Sequence, residues 1–333
     1  MNEGMSEGRP SWPAEDGRDP RGRAPGPAQD RRNPVGWSTG PALNMLVTGG
    51  SGFLGGYVLR EATRRGHKTV ALARSETASA AVTALGARPV TGDLNDARAL
   101  ADAFRAAGCD TLVNLASLGF GHAPVIIAAA EQAGIRRAVF VSTTAVTTTL
   151  PASSKRVRLA AEECIRTSGL EWTILRPTMI YGDPGDRNLS RLLLLLRRAP
   201  VLPVPGGGQL QQPVHAADVA DAVLAAAERP AAAGRTYDVA GPEPLTFAEL
   251  LRTSARVVAS RTRFVPVPLT PVVAAARGYE VISRNPRIRV EQLRRLAEDK
   301  AFVIDDAVRD LGYAPRPFAD GIRAEACAMG LAA

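Results

Sequence analysis

Three glycines carry the clearest chemistry in this 333-residue sequence. In Met45-Leu46-Val47-Thr48-Gly49-Gly50-Ser51-Gly52-Phe53-Leu54-Gly55-Gly56 an apolar strand runs through a turn into a helix that ends at Gly66. Gly49 permits the tight turn, Gly52 lets the backbone come close to an anion, and Gly55 lets the helix lie against the strand. The helix start offers unbonded N–H groups and the positive end of its dipole. The chemistry implied is the grip of a pyrophosphate by the backbone of Gly49, Ser51, Gly52, Phe53, Leu54 and Gly55.

Further blocks follow at ordered positions: Asn114-Leu115-Ala116-Ser117, Ser142-Thr143-Thr144-Ala145-Val146, Arg176-Pro177-Thr178-Met179-Ile180-Tyr181-Gly182 and Val214-His215-Ala216-Ala217-Asp218-Val219-Ala220. With the Thr-Gly-x-x-Gly-x-x-Gly turn, one residue longer than the Gly-x-Gly-x-x-Gly fingerprint, they resemble the extended and atypical short-chain dehydrogenase/reductases. That group includes NDP-sugar epimerases and an NADPH-binding subunit of respiratory complex I. The resemblance runs from Met45 to about Ala324, through the closing Leu311-Gly312-Tyr313-Ala314-Pro315-Arg316-Pro317-Phe318.

The resemblance implies a dinucleotide site. Arg74 stands at the end of the second strand, where an acid would bond the ribose hydroxyls of NADH. Arginine there accommodates a 2′-phosphate and favours NADP(H), with NAD(H) as the other option. Asp93 and Leu94 are expected to flank the adenine, Leu115, Ala116 and Ser117 the ribose, and Ser142, Pro177, Thr178 and Met179 the nicotinamide end.

Thr144 takes the place of the catalytic Ser/Thr. Alignment of the Tyr-x-x-x-Lys helix puts Ser154 at the tyrosine position and Arg158 at the lysine position, so the usual general acid is missing. Serine cannot shuttle a proton as a phenol does. Arg158 bonds ribose hydroxyls but keeps its proton. Lys155, about one helical turn before Arg158, is the candidate donor, and Tyr181 is the nearest phenol. His122, Gln212 and His215 are candidate substrate contacts, and Asp218 is expected to cap its helix. The three cysteines lack metal or redox spacing, so no metal is expected.

The elements that must position these groups alternate strand and helix with short connections. That pattern predicts an α/β fold, a doubly wound parallel Rossmann sheet with a smaller mixed C-terminal substrate domain. The expected organisation is a disordered extension over 1–44, a Rossmann domain over 45–182 and 213–240, and a substrate domain over 183–212 and 241–333. The extension is rich in Pro, Gly, Arg and Asp and has no signal-peptide core. Since Met45 stands at the first strand, translation from there would still give the whole folded part.

The formal charge of +8 comes from 38 arginines and only Lys68, Lys155 and Lys300 against 33 acids. Residues 1–44 balance six arginines with six acids, so the excess lies in the folded part. Its arginines are scattered without aromatic interleaving, which argues against a nucleic-acid surface and suits anionic ligands. No apolar run approaches the roughly 20 residues of a membrane span. The cysteines fit a reduced, cytoplasmic setting. Expected partners are a small-molecule substrate and, at most, a second copy of the chain. The function expected is an NADP(H)-dependent oxidoreductase acting on a small, hydrophobic carbonyl or alcohol. The alternatives are an NDP-sugar epimerase or dehydratase, and a non-catalytic NADPH-binding protein.

Overall fold

The structure is a computed structural model and describes residues 41–150, 153–186, 188–282 and 298–332. The expected disorder of 1–44 lies almost wholly outside those residues. Residues 40–333 form one compact unit.

Strands β1 (Asn44–Thr48), β2 (Lys68–Ala73), β3 (Arg88–Thr91), β4 (Thr111–Asn114), β5 (Arg137–Val141) and β6 (Glu171–Pro177) alternate with helices α1 (Phe53–Arg64), α2 (Glu76–Thr83), α3 (Ala97–Ala107), α4 (Ala123–Gln132) and α5 (Ser153–Arg166). Then come β7 (Ile180–Tyr181), α6 (Leu189–Leu196), β8 (Val201–Pro205), β9 (Leu210–Gln211), β10 (Val214–His215), α7 (Ala216–Glu228), β11 (Arg235–Val239), β12 (Leu245–Thr246), α8 (Phe247–Val257), β13 (Arg263–Val267), α9 (Leu269–Ile282), α10 (Asp305–Leu311) and α11 (Phe318–Ala328).

The main sheet has seven parallel strands in the order β11-β6-β5-β4-β1-β2-β3. The chain reverses direction across the sheet between β1 and β4, which makes that gap the topological switch point where ligands bind in open α/β sheets. Register is tight there: Val47 pairs with Ala71 on one side and Val113 on the other. Continuous apolar runs suit strands covered on both faces. Met45, Leu46 and Val47 are fully buried, with Val58, Leu59 and the α7 residue Val223 in the layer that contains Met45 and Val47. Leu46 joins Leu100, Phe104, Ile126 and Ile165 on the other face.

A third cluster, under α6, α8 and α11, joins Leu189, Leu193, Leu196, Leu250, Phe318 and Ile322. Three small strand pairs lie outside the main sheet among the described residues: β10 parallel to β7, β13 parallel to β8, and β12 antiparallel to β9.

Helix caps fall at residues of their own. Asp96, not Asp93, caps α3, accepting from the N–H of Arg98 and Ala99 at 3.0 Å each. Helix α7 is capped by His215, whose Nδ1 accepts from Ala217 N at 3.1 Å. Asp218, the residue expected to cap it, instead receives the Arg316 N–H at 3.0 Å and its Nε at 2.9 Å. It therefore ties the C-terminal segment to α7, a long-range contact that helix spacing alone does not reveal.

Candidate dinucleotide site and its buried acid neighbour

The glycine turn is built as an open cradle. Gly49 has φ +71°, a conformation that costs glycine little, and a Cβ there would stand 3.0 Å from Ala116 N and Leu115 C. The loop after β4 thus closes on the turn after β1 at the switch point. A Cβ on Gly55 would lie 2.4 Å from the Gly49 and Gly50 carbonyl oxygens, so only glycine lets α1 sit this close. At Gly52 the sole neighbour is Gly49 O at 3.2 Å, and both Ser51 and Gly52 are exposed. Gly52 N bonds Gly49 O at 3.0 Å and closes the turn. No side chain caps α1 at Gly52. The first N–H groups of a twelve-residue helix therefore face outward from an open backbone, the arrangement that fits a dinucleotide pyrophosphate.

Around this cradle the strand ends bring several expected residues together. Arg74 is exposed just after β2, and Asp93 lies near enough to feel its charge. The Asp93 carboxyl is held below its ordinary range, chiefly by the Asn95 backbone N–H and then by the Asn95 side chain. His122 is near enough to add a slight attraction of its own to Asp93. Its ring stands 6.4 Å from exposed Phe120. Leu94 packs partly buried against the core, and Leu115 and Ala116 form the loop behind Gly49. Ser117 caps the short turn Leu118–Phe120.

The Arg158 guanidinium lies over that same turn, where a Gly119 Cβ would stand 3.1 Å from its Cζ. Thr144, 8% exposed, points its hydroxyl at Pro177 O, 3.4 Å away. The backbone of Thr178 bonds Val239 O at 3.0 Å and its hydroxyl bonds Gln212 O at 2.5 Å. Met179 packs partly buried against the cluster under α6. Lys155, on the first turn of α5 beside Ser154, donates from Nζ to Thr148 O.

Other expected residues have structural employment. Ser142 donates to Glu162 Oε1 at 2.7 Å. Glu162 is fully buried and also takes Arg176 at 3.0 and 2.5 Å and Arg166 at 2.7 Å. Burial alone would raise that carboxyl; Arg176 and Ser142 outweigh it and hold it low. Gln212, 3% exposed, donates to Gly241 O and accepts from Phe302 N, each at 2.7 Å, so it clamps two backbone segments. Tyr181 is 1% exposed between His215 and Phe318, both with ring centroids 5.4 Å away, and burial drives its phenol well above its ordinary value. A phenol so enclosed does not meet a substrate. His215 is likewise buried, pushed down to about 3 by burial and then by Arg316. Its Nε2 has no protein partner among the described residues.

Two features escaped the sequence. Gln211, next to the residue expected to touch substrate, is 5% exposed with its amide nitrogen unpartnered among the described residues. Strand alternation could have flagged it, because adjacent residues point opposite ways. A buried amide donor left empty costs free energy, which marks Gln211 as a place for water or ligand.

The other is an acid cluster against the outer side of α1. Asp186 accepts from the N–H of Asn188 at 2.6 Å, Leu189 at 2.8 Å and Ser190 at 3.3 Å, and so holds the start of α6. Glu325 on α11 is fully buried with neither oxygen in a hydrogen bond of good geometry; its nearest polar neighbours are the Asp186 carboxylate and the Gly182 backbone. Burial, then the Asp186 charge, pushes it up to about 8. The same loop bonds α1 through Asp183 and the Tyr57 hydroxyl.

Comparison with known proteins agrees with this geometry. Residues 49–230 match a family model described as NAD(P)H-binding. A 4-hydroxy-2-methyl-3-oxo-4-farnesyl-3,4-dihydroquinoline-1-oxide ketoreductase of Stigmatella aurantiaca is 30% identical over 82% of this chain and 92% of its own. The ceramide reductase of Caulobacter vibrioides is 30% identical over 69% of this chain and 75% of its own. Among solved structures, the UDP-glucose 4-epimerase of Thermus thermophilus in complex with NAD shares the fold, with a TM-score of 0.67 at 20% identity, over 86% of this chain and 98% of that one.

Proposed function

We propose a reaction for this chain on the premise that it belongs to the NAD(P)H-binding family, among extended short-chain dehydrogenase/reductase and epimerase-like proteins: it reduces a ketone carried by a hydrophobic, lipid-like molecule, with NADPH as the preferred cofactor. The observation that carries this reading is the uncapped start of α1, open at Gly52, on the same sheet edge as the Thr144–Pro177 pair. The two relatives' names supply the substrate class, since one specifies an oxo group beside a farnesyl chain and the other a ceramide.

A bound dihydronicotinamide supplies hydride. The protein's part is to hold and polarise. The exposed backbone at Ser51 and Gly52 grips pyrophosphate, Arg74 meets a 2′-phosphate, and Arg158 steadies the ribose loop over Gly119. The Thr144 hydroxyl, aimed at the β6 end, is the donor for the substrate oxygen. Ser154 cannot deliver the proton, so it comes from Lys155 or from water held near it. Lys155 now spends one of its three donors on Thr148 O, which leaves two.

The test is loss of reduced-nicotinamide absorbance with long-chain 3-oxoacyl esters and 3-keto lipids in mixed micelles. Turnover with NADPH is expected, and Thr144→Val lowers kcat by roughly 100-fold while NADPH affinity stays within twofold. Tight NADPH binding with no oxidation across the panel would leave the non-catalytic binding protein. Interconversion of UDP-sugars would select the epimerase instead.

A further inference from the structure

Outside the dinucleotide cleft, the C-terminal part carries a surface of unusual composition. No acid occurs between Asp186 and Asp218, or between Glu249 and Glu280, while the first run holds Arg191, Arg197 and Arg198 among its arginines and the second Arg261 and Arg263. These two runs fold together. Val201 stands opposite Arg263 and Pro203 opposite Val265 in the β8–β13 ladder. The end of α6 is fastened to the start of β13 by Ser260 Oγ and Thr262 Oγ1 on Leu196 O, at 2.5 and 3.1 Å, and by Thr262 Oγ1 on Ala199 O at 2.6 Å.

Helix α6 has two unlike faces. Leu189, Leu193 and Leu196 turn inward onto the third core cluster. Arg191, Leu194 and Leu195 lie at i, i+3 and i+4 on the other side, and Arg197 and Arg198 follow in the turn after the helix, all exposed. The ribbon repeats the pattern: Leu202, Val204 and Phe264 turn toward the interior, whereas Val201, Pro203, Arg263 and Val265 are exposed. Leu194, Leu195, Val201 and Val265 are 42, 44, 51 and 45% exposed. The five arginines beside them form no ion pair with an acid among the described residues. A soluble surface gains nothing from leucines in this position, and an acidic partner would explain the arginines but not the leucines. Apolar side chains ringed by unneutralised cations on one helix face and an adjoining ribbon match the headgroup boundary of an anionic bilayer, where the chains enter and the guanidinium groups meet phosphates.

We propose that the outer face of α6 and of the β8–β13 ribbon docks this protein on the surface of an anionic membrane. The contact is peripheral, since no helix among the described residues is long and apolar enough to cross a bilayer. Docking is measured without substrate or turnover, so it stands or falls apart from the reductase reading.

The experiment is vesicle co-sedimentation of the full chain, with phosphatidylcholine alone and with phosphatidylcholine and phosphatidylglycerol in equal parts. Binding is expected to the anionic vesicles only, and to weaken with salt. Arg197→Glu with Arg198→Glu should lower the partition coefficient about tenfold or more, since each basic group near such a surface contributes about a fivefold factor. Leu194→Ser with Leu195→Ser should lower it about tenfold by removing the inserted carbon. Unchanged NADPH affinity and melting temperature in both pairs would show that the fold is intact. Equal binding to neutral vesicles, or wild-type binding by either pair, overturns the proposal. So does heparin or duplex DNA binding that matches the vesicle affinity and survives the leucine substitutions, which would identify a polyanion site.

Discussion

Two glycine-bearing turns touch at the carboxyl edge of the sheet, and they are built on opposite principles. The turn after β1 is a backbone device. Its groups are N–H donors and a missing set of Cβ atoms, its front is open, and no side chain competes for the start of α1. The turn at residues 182–186 is a side-chain device. It is packed with Asp183, Asp186 and the buried Glu325, and it leans on α1 through Tyr57 and Phe53, whose ring a Gly185 Cβ would meet at 3.2 Å. The first leaves backbone groups free for a ligand; the second holds the C-terminal part by enclosing groups that prefer water. Substitution in the first should therefore change either ligand or fold according to which glycine is hit, whereas substitution in the second should change how stability depends on pH.

The largest expected effect separates two glycines three residues apart. Gly55→Ala drives a methyl to 2.4 Å from two carbonyl oxygens, and α1 must lift off β1. A loss of about 3 kcal/mol or more is expected, the range of severe overpacking in a core. Gly52→Val meets only one atom at 3.2 Å and should melt within about 3 °C of wild type, yet its side chain occupies the space the pyrophosphate needs. Calorimetry and fluorescence titration read the two quantities. A Gly52→Val protein that binds NADPH normally would reduce the cradle to an ordinary turn, and a stable Gly55→Ala would show that α1 has slack.

This contrast also explains what could be read from the chain before the structure. The cradle is local: strand, turn and helix lie within Met45–Arg64, so residue types and spacing state its geometry. The parallel, doubly wound class of the sheet is equally legible, because each apolar run is followed by its own covering helix; the order of the strands across it is not. The neighbouring turn is assembled from Asp186 and Glu325, far apart in sequence, and no local pattern joins them. His215 failed as a substrate contact for a related reason. A histidine at a strand end reads as polar and available, but here Nδ1 caps α7 while the buried ring meets Tyr57 and Tyr181 edge to face. Gln211 and Gln212 are like residues in the sequence, and only the backbone sends them to different neighbours.

A smaller effect tests the rim of the cradle. Arg74 is exposed, with Asp93 close enough to interact. That carboxylate's pull is slight beside its own bonds to Asn95, so a 2′-phosphate would meet the guanidinium with little competition. A charge-assisted bond of about 1.5 to 3 kcal/mol sets the upper end of its contribution. Arg74→Ala should lower NADPH affinity about tenfold and leave NADH affinity within twofold. Titration of both nucleotides reads the ratio, and an unchanged ratio removes Arg74 from cofactor choice. Asp93→Asn sharpens the comparison, since removing a negative charge beside the 2′-phosphate position should tighten NADPH modestly.

The smallest effect is a change of slope at the acid cluster. Glu325 has an ordinary value of 4.5 and is pushed up to about 8 in the fold, so the folded state keeps a proton that the unfolded chain releases. Stability must then fall as pH rises from about 4.5 to about 8 and level off beyond, because over that window the native state binds more protons. Glutamine has the same shape and no proton to lose. Glu325→Gln should therefore melt at least about 2 to 4 °C higher relative to wild type at pH 9 than at pH 6, with linkage over two pH units setting an upper end of about 2.7 kcal/mol. The acid limb should be common to both proteins, since it comes from His215 and from carboxylates such as Glu162 that the fold holds low. That ring is held neutral down to about 3, below its ordinary 6.5, so its contribution is lost as pH falls from 6.5. Trypsin adds a local readout: Arg197 and Arg198 follow α6, whose start Asp186 holds. Cleavage there should quicken at pH 9 in wild type and not in Glu325→Gln. Parallel melting curves for the two proteins from pH 6 to 9 would mean that Glu325 keeps its charge in the fold, and that the turn at 182–186 is held by packing alone.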